Sequence, residues 1–209
     1  MSLTKPTAAQ AVSVPPASKP RNFATPQPLK LKVCKYGEKV LREKATPVAI
    51  VDDRLRRLAE DMLETMHEAK GVGLAAEQVG HLEKMCVIDI PEGCDEPEDE
   101  MFNAPIAMPL VLFNPEIVSQ EGSQRDKEGC LSFPNVGGSL TRAAQVTCQY
   151  LDAENRPQMI TARGFLARAI QHEIDHLNGI LYIDHMSAVE RLAYAPKLKK
   201  LAKANGGVR

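Results

Sequence analysis

Apolar positions along the chain recur with two different periods, and each period predicts a different kind of element. Across residues 29–33, apolar side chains alternate with lysines, which predicts a strand with one buried face. Across residues 53–70, apolar side chains instead recur every three or four positions, as they do along one face of a helix. Asp52 or Asp53 can cap the start of this helix, and Gly71 can end it.

Four shorter apolar runs predict further strands. They are Met85–Ile90, Leu110–Phe113, Gln145–Leu151 and Gln158–Ala162. The last two flank residues 152–155, whose Asp and Asn favour a turn. We therefore expect these two strands to form a hairpin.

Two helices are predicted in the C-terminal third of the chain. Residues 164–178 are apolar almost all round, which indicates a buried helix, and Gly179 is its expected stop. A capping box from Ser187 to Glu190 begins a second helix, which Pro196 should kink or end. These patterns together predict an α+β fold, with short antiparallel strands packed around the buried helix and a further helix at the C-terminus.

Composition divides the chain into three parts. Residues 1–28 hold six prolines and no acidic side chain, which predicts a disordered tail. We expect one folded domain at 29–186 and a basic C-terminal helix or tail at 187–209. The acidic, proline-containing insert at 91–109 is predicted to be a solvated loop.

Charge and cysteine content narrow the class of protein. The chain has 209 residues and a formal net charge of −1, which argues against a general nucleic-acid binder. No apolar run approaches the ~18 residues that a membrane span needs. The five cysteines are odd in number and widely spaced, which favours a reducing compartment over a disulfide framework. We expect a cytoplasmic protein with no membrane partner. Organellar import is the alternative, because transit peptides also lack acidic residues.

The segment HEIDH at 172–176 is the most informative short pattern. A spacing of four residues places His172 and His176 one above the other on one helix face, where both can bind a metal ion. Glu173 lies beside that face, within reach of a water at the ion. Such ionisable side chains are costly to bury unless a metal or hydrogen bonds satisfy them. The HExxH pattern is short enough to occur by chance. A third ligand is therefore needed before the pattern indicates a metal site.

The third ligand is missing downstream, where HExxH peptidases have it. The longer pattern HExxHxxGxxH is met at Gly179, but its last position is Tyr182. His185 lies three residues too late, and the only downstream glutamate is Glu190. Upstream, Cys130 lies in the turn-like segment KEGCLSFP. A thiolate there would complete a Cys-His-His set, which zinc and iron both accept.

Three segments, taken together, resemble a known family. GVGLAAEQVG at 71–80, EGCLSFP at 128–134 and QHEIDHLNG at 171–179 occur in the order and approximate spacing of the signature motifs of peptide deformylase. The resemblance covers roughly residues 31–186, and it implies that 29–186 is a deformylase-like catalytic domain. Members of the family remove the N-formyl group from the initiator methionine of newly made bacterial and organellar proteins.

The resemblance implies a metal centre and a proton carrier. Cys130, His172 and His176 would hold one divalent ion, and Glu173 would carry a proton from water to the departing methionine nitrogen. The family commonly uses ferrous iron, so Fe²⁺ is the expected ion. Zn²⁺ is the alternative, because this ligand set accepts both ions.

The resemblance also assigns residues to the substrate. Gln78 and the backbone N–H of Leu131 would donate to the developing oxyanion. Gly71, Val72 and Gly73 would line the bound peptide, with Val72 at the methionine pocket.

Some positions extend the family pattern or depart from it. Glu77 puts a charge beside Gln78, where the family more often has a neutral residue. Glu128 and Arg142 match family positions that pair and brace the cysteine loop. Asp175 is a candidate partner for a metal-bound histidine.

The expected partners are the N-formylmethionyl peptides of nascent chains. The C-terminal segment is basic and has no acidic residue after Glu190; in bacterial relatives such a tail docks on ribosomal RNA, and a solvated helix end is the other interpretation. An HExxH-type metallopeptidase, which would need neither Cys130 nor Gln78, is the alternative function. The sequence leaves the oligomeric state open.

Overall fold

A computed structural model describes residues 28–206 of the chain, and these residues form four α-helices, three short 3-10 helices and seven strands. In chain order they are α1 (Asp53–Glu68), β1 (Gly73–Ala75), β2 (Met85–Ile88), α2 (Pro97–Asn103), β3 (Leu110–Glu121), β4 (Gln124–Gly129), β5 (Gly137–Arg142), β6 (Gln145–Leu151), β7 (Pro157–Arg163), α3 (Gly164–Leu177) and α4 (Ala188–Ala204).

The strands form one antiparallel sheet and one hairpin. The sheet has the order β1-β2-β3-β6-β7, and β4 pairs with β5 beside it. The hairpin of β6 and β7 turns at Asn155, whose φ of 62° is the left-handed conformation that asparagine tolerates. The predicted α+β fold of antiparallel strands and a C-terminal helix is confirmed.

Helices cover both faces of the sheet, and β2 lies buried between them. Cys86 and Ile88 belong to the core cluster of α3, whereas Met85 and Val87 belong to the core cluster of α1. Successive side chains of a strand point to opposite faces, so a run of four apolar residues is what a strand covered on both sides requires. The buried helix expected at 164–178 is α3, which is buried along nearly its whole length.

The first long helix begins where the sequence predicts. The side chain of Asp52 accepts a hydrogen bond from the backbone N–H of Leu55 at 2.9 Å, which caps the first turn of α1. The helix ends at Glu68, two residues before the predicted end.

The strand predicted at residues 29–33 does not form. The backbone N–H of Leu29 donates to Asp61 and that of Leu31 donates to Thr65, both on α1. The segment therefore pairs with side chains of a helix instead of joining the sheet. The predicted tail at 1–28 lies outside the described residues, apart from its last position.

One further prediction was wrong. The insert at 91–109 contains a helix, α2, with Pro97 at its first position, where proline is well suited. Pro196 was expected to kink or end the C-terminal helix, and helix α4 continues through it to Ala204. Pro196 is exposed, so water can satisfy the carbonyl one turn earlier that has lost its N–H partner.

Helix α4 is anchored to the domain by Leu198, which is buried in a core cluster with Phe133 and Tyr182. No helix between residues 28 and 206 is long and apolar enough to cross a membrane.

Candidate metal centre

Helix α3 and the segment after β4 bring the three predicted ligands together. Cys130, His172 and His176 each offer one ligand atom, and these atoms all lie within 4.8 Å of one another. The Sγ of Cys130 lies 3.3 Å from Nε2 of His176, and the two imidazole centroids are 5.1 Å apart. Within residues 28–206, this is the only group of three or more such side chains close enough to share an ion.

The ligand set fits a small divalent cation. Four ligands at ~2.0–2.3 Å in a tetrahedron lie roughly 3.3–3.8 Å from one another, which is compatible with the spacing of these three atoms. One thiolate and two imidazoles leave a fourth position for a reacting molecule, as in catalytic sites. The imidazoles are buried and Cys130 is half-buried.

The loop around Cys130 is held in place by the side chain of Phe133, three residues further along the chain. Strand β4 ends at Gly129, and the N–H of Phe133 donates to the Cys130 carbonyl at 2.9 Å, which closes a turn. Phe133 is buried, stacks on Tyr36 and meets Tyr182 edge-on. This aromatic anchor fixes the loop that presents the thiol.

A buried carboxylate orients the first histidine. Oε2 of Glu128 accepts a hydrogen bond from Nδ1 of His172 at 3.0 Å, so the other ring nitrogen, Nε2, is the atom left to face the ion. Burial opposes ionisation of Glu128, but hydrogen bonds from His172 and Arg142 outweigh it and hold the pKa of this carboxyl well below its ordinary value.

Two arginines hold Glu128. Arg142 donates to both of its oxygens, at 2.8 and 2.9 Å, and Arg168 donates to Oε1 at 2.6 Å. Arg168 is 2% exposed, and it was not among the residues predicted from the sequence. The sequence did carry a signal for it, because an arginine on a helix predicted to be buried requires a carboxylate partner.

Asp175 has no hydrogen bond to His172 or His176. It accepts hydrogen bonds from Arg142 at 2.5 Å and pairs with His185 at 2.8 Å. Adjacent helix positions do not face each other, so Asp175 is turned away from His176, and its carboxylate is held by Arg142 and His185 instead of His172. The candidate partner proposed from sequence was therefore wrong, and Glu128 occupies that position instead.

Glu173 lies at the floor of the cleft beside the ligands. It is 4% exposed, and its Oε2 has no hydrogen-bond partner among the described residues. Burial raises the pKa of Glu173 to about 7, although the charges of His172 and Arg142 lower it in part. A Cβ at Gly73 would lie 2.3 Å from Oε1 of Glu173, so only glycine leaves space for this carboxylate.

Gln78 faces the cysteine loop from the short 3-10 helix Ala76–Val79. Its Nε2 donates to Sγ of Cys130 at 3.3 Å and to Oγ of Ser132 at 3.2 Å, and its Oε1 accepts from the N–H of Ala75 at 2.9 Å. These contacts fix the direction of the amide. The backbone N–H of Leu131 has no acceptor within residues 28–206.

These side chains open onto a cleft of about 640 Å³. Its walls include all three residues of the Gly71–Gly73 segment, together with Leu131 and Phe165. Strand β1, which begins at Gly73, is the edge strand of the sheet. The cleft therefore offers both an apolar pocket and an unpaired strand edge to an extended peptide.

Glu77 is the least expected residue near the site. It is 0% exposed, and neither carboxylate oxygen has a partner in the described part of the chain. Burial and the nearby charge of Glu173 raise the pKa of Glu77 to about 8, against a weaker lowering by its own backbone. Glu77, where the family more often has a neutral residue, is therefore a buried, neutral carboxylic acid beside Gln78 at pH 7.

Comparisons with known proteins agree on one family. Residues 30–192 match the family described as Polypeptide deformylase. A peptide deformylase of Nitrosococcus oceani is 44% identical over 170 residues, which cover 81% of this chain and 95% of that protein. The crystal structure of peptide deformylase from Ehrlichia chaffeensis is similar with a TM-score of 0.74 and 37% identity, over 82% of this chain and 96% of that one. A peptide deformylase from Synechococcus elongatus, solved in complex with actinonin, is 40% identical with a TM-score of 0.68, over 85% of this chain and 89% of that one.

Proposed function

The chain belongs to the polypeptide deformylase family, and we propose how its residues perform the hydrolysis that defines this family. The enzyme removes the N-formyl group from the terminal methionine of nascent peptides, leaving formate and a free amine. The main support for the roles proposed below is that Cys130, His172 and His176 lie close together beside the buried Glu173.

We assign the metal to Cys130, His172 and His176. When bound, the ion supplies Lewis acidity, which polarises the formyl carbonyl and acidifies the attacking water. Fe²⁺ is the proposed native ion and Zn²⁺ the alternative, since one thiolate and two imidazoles suit both.

Glu173 is the proposed proton carrier. It takes a proton from the attacking water as the water oxygen bonds to the formyl carbon. It then delivers that proton to the methionine nitrogen as the carbon–nitrogen bond breaks. A carboxyl group whose pKa is raised by burial is suited to both steps, because it can accept a proton from the water and then release it to the amine.

Gln78 and Leu131 are the proposed oxyanion donors. The amide of Gln78 is directed towards the Cys130 Sγ by its contacts with Ala75 and Ser132. The N–H of Leu131, which has no acceptor within residues 28–206, belongs to the residue that follows Cys130. A donor of this kind typically contributes about 3 kcal/mol to lowering the barrier.

Gly71, Val72 and Gly73 are the proposed substrate-binding residues. They lead into β1, the edge strand, so an extended peptide can add to the sheet there. A Cβ at Gly71 would lie 2.7 Å from the Leu131 side chain; glycine at this position therefore keeps the cleft open.

Further proposals concern the setting of the enzyme. Residues 1–28 are proposed to be a tail, 29–186 the catalytic domain and 187–209 a basic C-terminal extension. The basic C-terminal segment is proposed to contact the ribosome, and the enzyme is proposed to act in the cytoplasm on emerging chains. The family's substrate and the free cysteines support this setting.

The first test follows formate release from a formyl-Met tripeptide by protein purified without oxygen, with metal content measured on the same samples. We expect release by the wild type and its loss in Glu173→Ala, while the variant retains about one metal ion per chain. Absence of formate from metal-loaded wild type under reducing conditions would contradict the proposal.

Replacing one ligand separates the deformylase from an HExxH peptidase. Cys130→Ser should lower metal content and formate release together. A peptidase would keep its metal in this variant and would cleave internal peptide bonds. Comparison of Fe²⁺-loaded and Zn²⁺-loaded wild type in the same assay distinguishes the two candidate ions.

A further inference from the structure

Helix α3 bears two of the metal ligands, yet its own sequence does not cap it. Arg163 occupies the N-cap position and makes no side-chain capping bond. The cap comes from the insert instead, because Oδ1 of Asp95 accepts a hydrogen bond from the backbone N–H of Phe165 at 2.5 Å. This N–H is the second of the helix, one of the groups that a normal N-cap side chain satisfies.

The insert also holds the strand residue that precedes the helix. Asn103, at the end of α2, accepts from the N–H of Arg163 at 3.0 Å and donates to its carbonyl at 3.1 Å. The same amide group donates to Oδ2 of Asp95 at 3.1 Å. Asp95 and Asn103 therefore contact consecutive parts of the junction between β7 and α3 and also brace each other.

Two contacts show that the junction and the insert are shaped for each other. The guanidinium of Arg163 lies 4.0 Å from the ring centroid of Phe102, a cation–π contact. Gly164 has a φ of 58°, and a Cβ there would lie 2.3 Å from Oδ1 of Asp95 and 2.6 Å from Oδ2 of Asp99. Only glycine satisfies both the left-handed backbone and the close approach of the two carboxylates.

The first turns of α3 form a wall of the substrate cleft. Phe165, Arg168 and Ala169 line it, followed by His172. These positions are spaced by three or four residues and so share one helix face. Asp95 thus holds the backbone of a residue whose side chain borders the substrate, on the helix that leads to the metal ligands.

We propose that the insert at 91–109 is a positioning element for the substrate wall of α3, and that Asp95 acts through the Phe165 backbone. The proposal rests on the deformylase function described above. The hydrogen bonds of Asp95 and Asn103 to α3 and β7 reach only residues 163–165, so their loss should disturb substrate binding more than the chemical step.

The test compares Asp95→Ala with Asp95→Asn in the full-length, metal-loaded enzyme. In Asp95→Ala we expect KM for a formyl-Met tripeptide to rise about five-fold, the effect typical of one lost capping bond, with kcat within two-fold of wild type. Asp95→Asn should restore KM, because an amide oxygen also caps a helix. Glu98→Ala is the matched control: it removes the same charge from the same insert, and Glu98 is exposed with no partner among the described residues.

Hydrogen exchange provides a readout that does not depend on activity. In Asp95→Ala, amides of residues 164–168 should exchange about five-fold faster than in wild type. Amides of residues 170–177 and the metal content should not change. Unchanged exchange at 164–168, or a fall in thermal stability with KM and kcat both unaltered, would overturn the proposal. Wild type that releases no formate would instead count against the function, and the exchange result would still decide the role of the insert.

Gly164→Ala should disturb the contact between Asp95 and the start of α3 by changing the helix residue that Asp95 lies against. The added methyl group should displace Asp95 and reproduce the faster exchange and the higher KM. In the double variant with Asp95→Ala the effects should be less than additive, because the clash with Asp95 is lost there, whereas the strained backbone at Gly164 and the clash with Asp99 remain in both backgrounds. Fully additive effects would show that the two residues act independently and would contradict the proposal.

Discussion

Glu128 accepts a hydrogen bond from His172 Nδ1 at 3.0 Å, although the two residues are 44 positions apart in the chain. The same carboxylate is held by Arg142 and Arg168. One buried group therefore orients the proposed metal ligand His172, joins β4 to α3 and pairs with two arginines. Its charge is essential to all three roles.

Glu128→Ala should weaken metal binding by about 10- to 100-fold, the usual effect of losing the group that orients a ligand. It should also leave Arg142 and Arg168 without their shared carboxylate, which lowers the free energy of unfolding. Metal competition against a chelator measures the first effect and urea denaturation the second. A variant that retains metal and activity at wild-type levels would show that Glu128 does not brace the site.

Arg168→Met should destabilise the protein by about 3 kcal/mol, because it leaves part of the Glu128 charge buried and uncompensated. Arg125→Ala is a suitable control, since Arg125 is 59% exposed in its pair with Glu190 and such pairs contribute less than about 1 kcal/mol. Urea denaturation of both variants makes the comparison. An equal, small loss in both would contradict a special role for Arg168.

Gly73→Ala should lower kcat by about 100-fold without loss of metal. The new Cβ would lie 2.3 Å from Oε1 and 2.8 Å from Cδ of Glu173. The proposed proton carrier must therefore move by about 1 Å, and a displacement of this size typically lowers the rate about 100-fold. Formate release and metal content measured on one sample check this. Wild-type kcat in this variant would argue against Glu173 as the proton carrier in its present position.

Glu77→Gln should stabilise the protein, and the gain should grow with pH. Burial raises the pKa of Glu77 from its usual 4.5 to about 8, and the titratable groups that face it are Glu173 and Cys86. The folded state therefore holds a proton that the unfolded state has lost between these two pH values, and stability falls as pH rises through that window.

The difference between wild type and Glu77→Gln should be small near pH 4.5 and reach about 1–3 kcal/mol above pH 8, since an ionised, unpartnered carboxylate is costly to bury. Urea denaturation from pH 5 to 9 measures it. Glu98→Gln, which makes the same chemical change at an exposed position, is the control. A pH-independent difference for Glu77→Gln would mean that Glu77 is already ionised or partnered in the fold.

Local sequence patterns correctly predicted the helices and strands in which buried residues recur at a regular spacing. Strand β6 spans Gln145–Leu151 as predicted, and α1 begins at Asp53 beside its predicted cap. Predictions failed where tertiary contacts replace local preference. The segment at 29–33 bonds to α1 rather than to a strand, and the acidic insert folds into α2 against the β7–α3 junction.

The sequence by itself determined the chemistry of the centre. The four-residue spacing of His172 and His176 places both imidazoles on one helix face, and the types of these residues and Cys130 limit the ion to a small class of metals. Those properties follow from covalent spacing and side-chain chemistry alone.

Only the tertiary structure decided which groups support that centre. Glu128 rather than Asp175 faces His172, Arg168 balances its charge, and Asp95 caps the helix 70 residues further along the chain. Hydrogen bonds of this kind need contact within about 3 Å. Sequence periodicity carries no information about which distant carboxylate folding will bring to that distance.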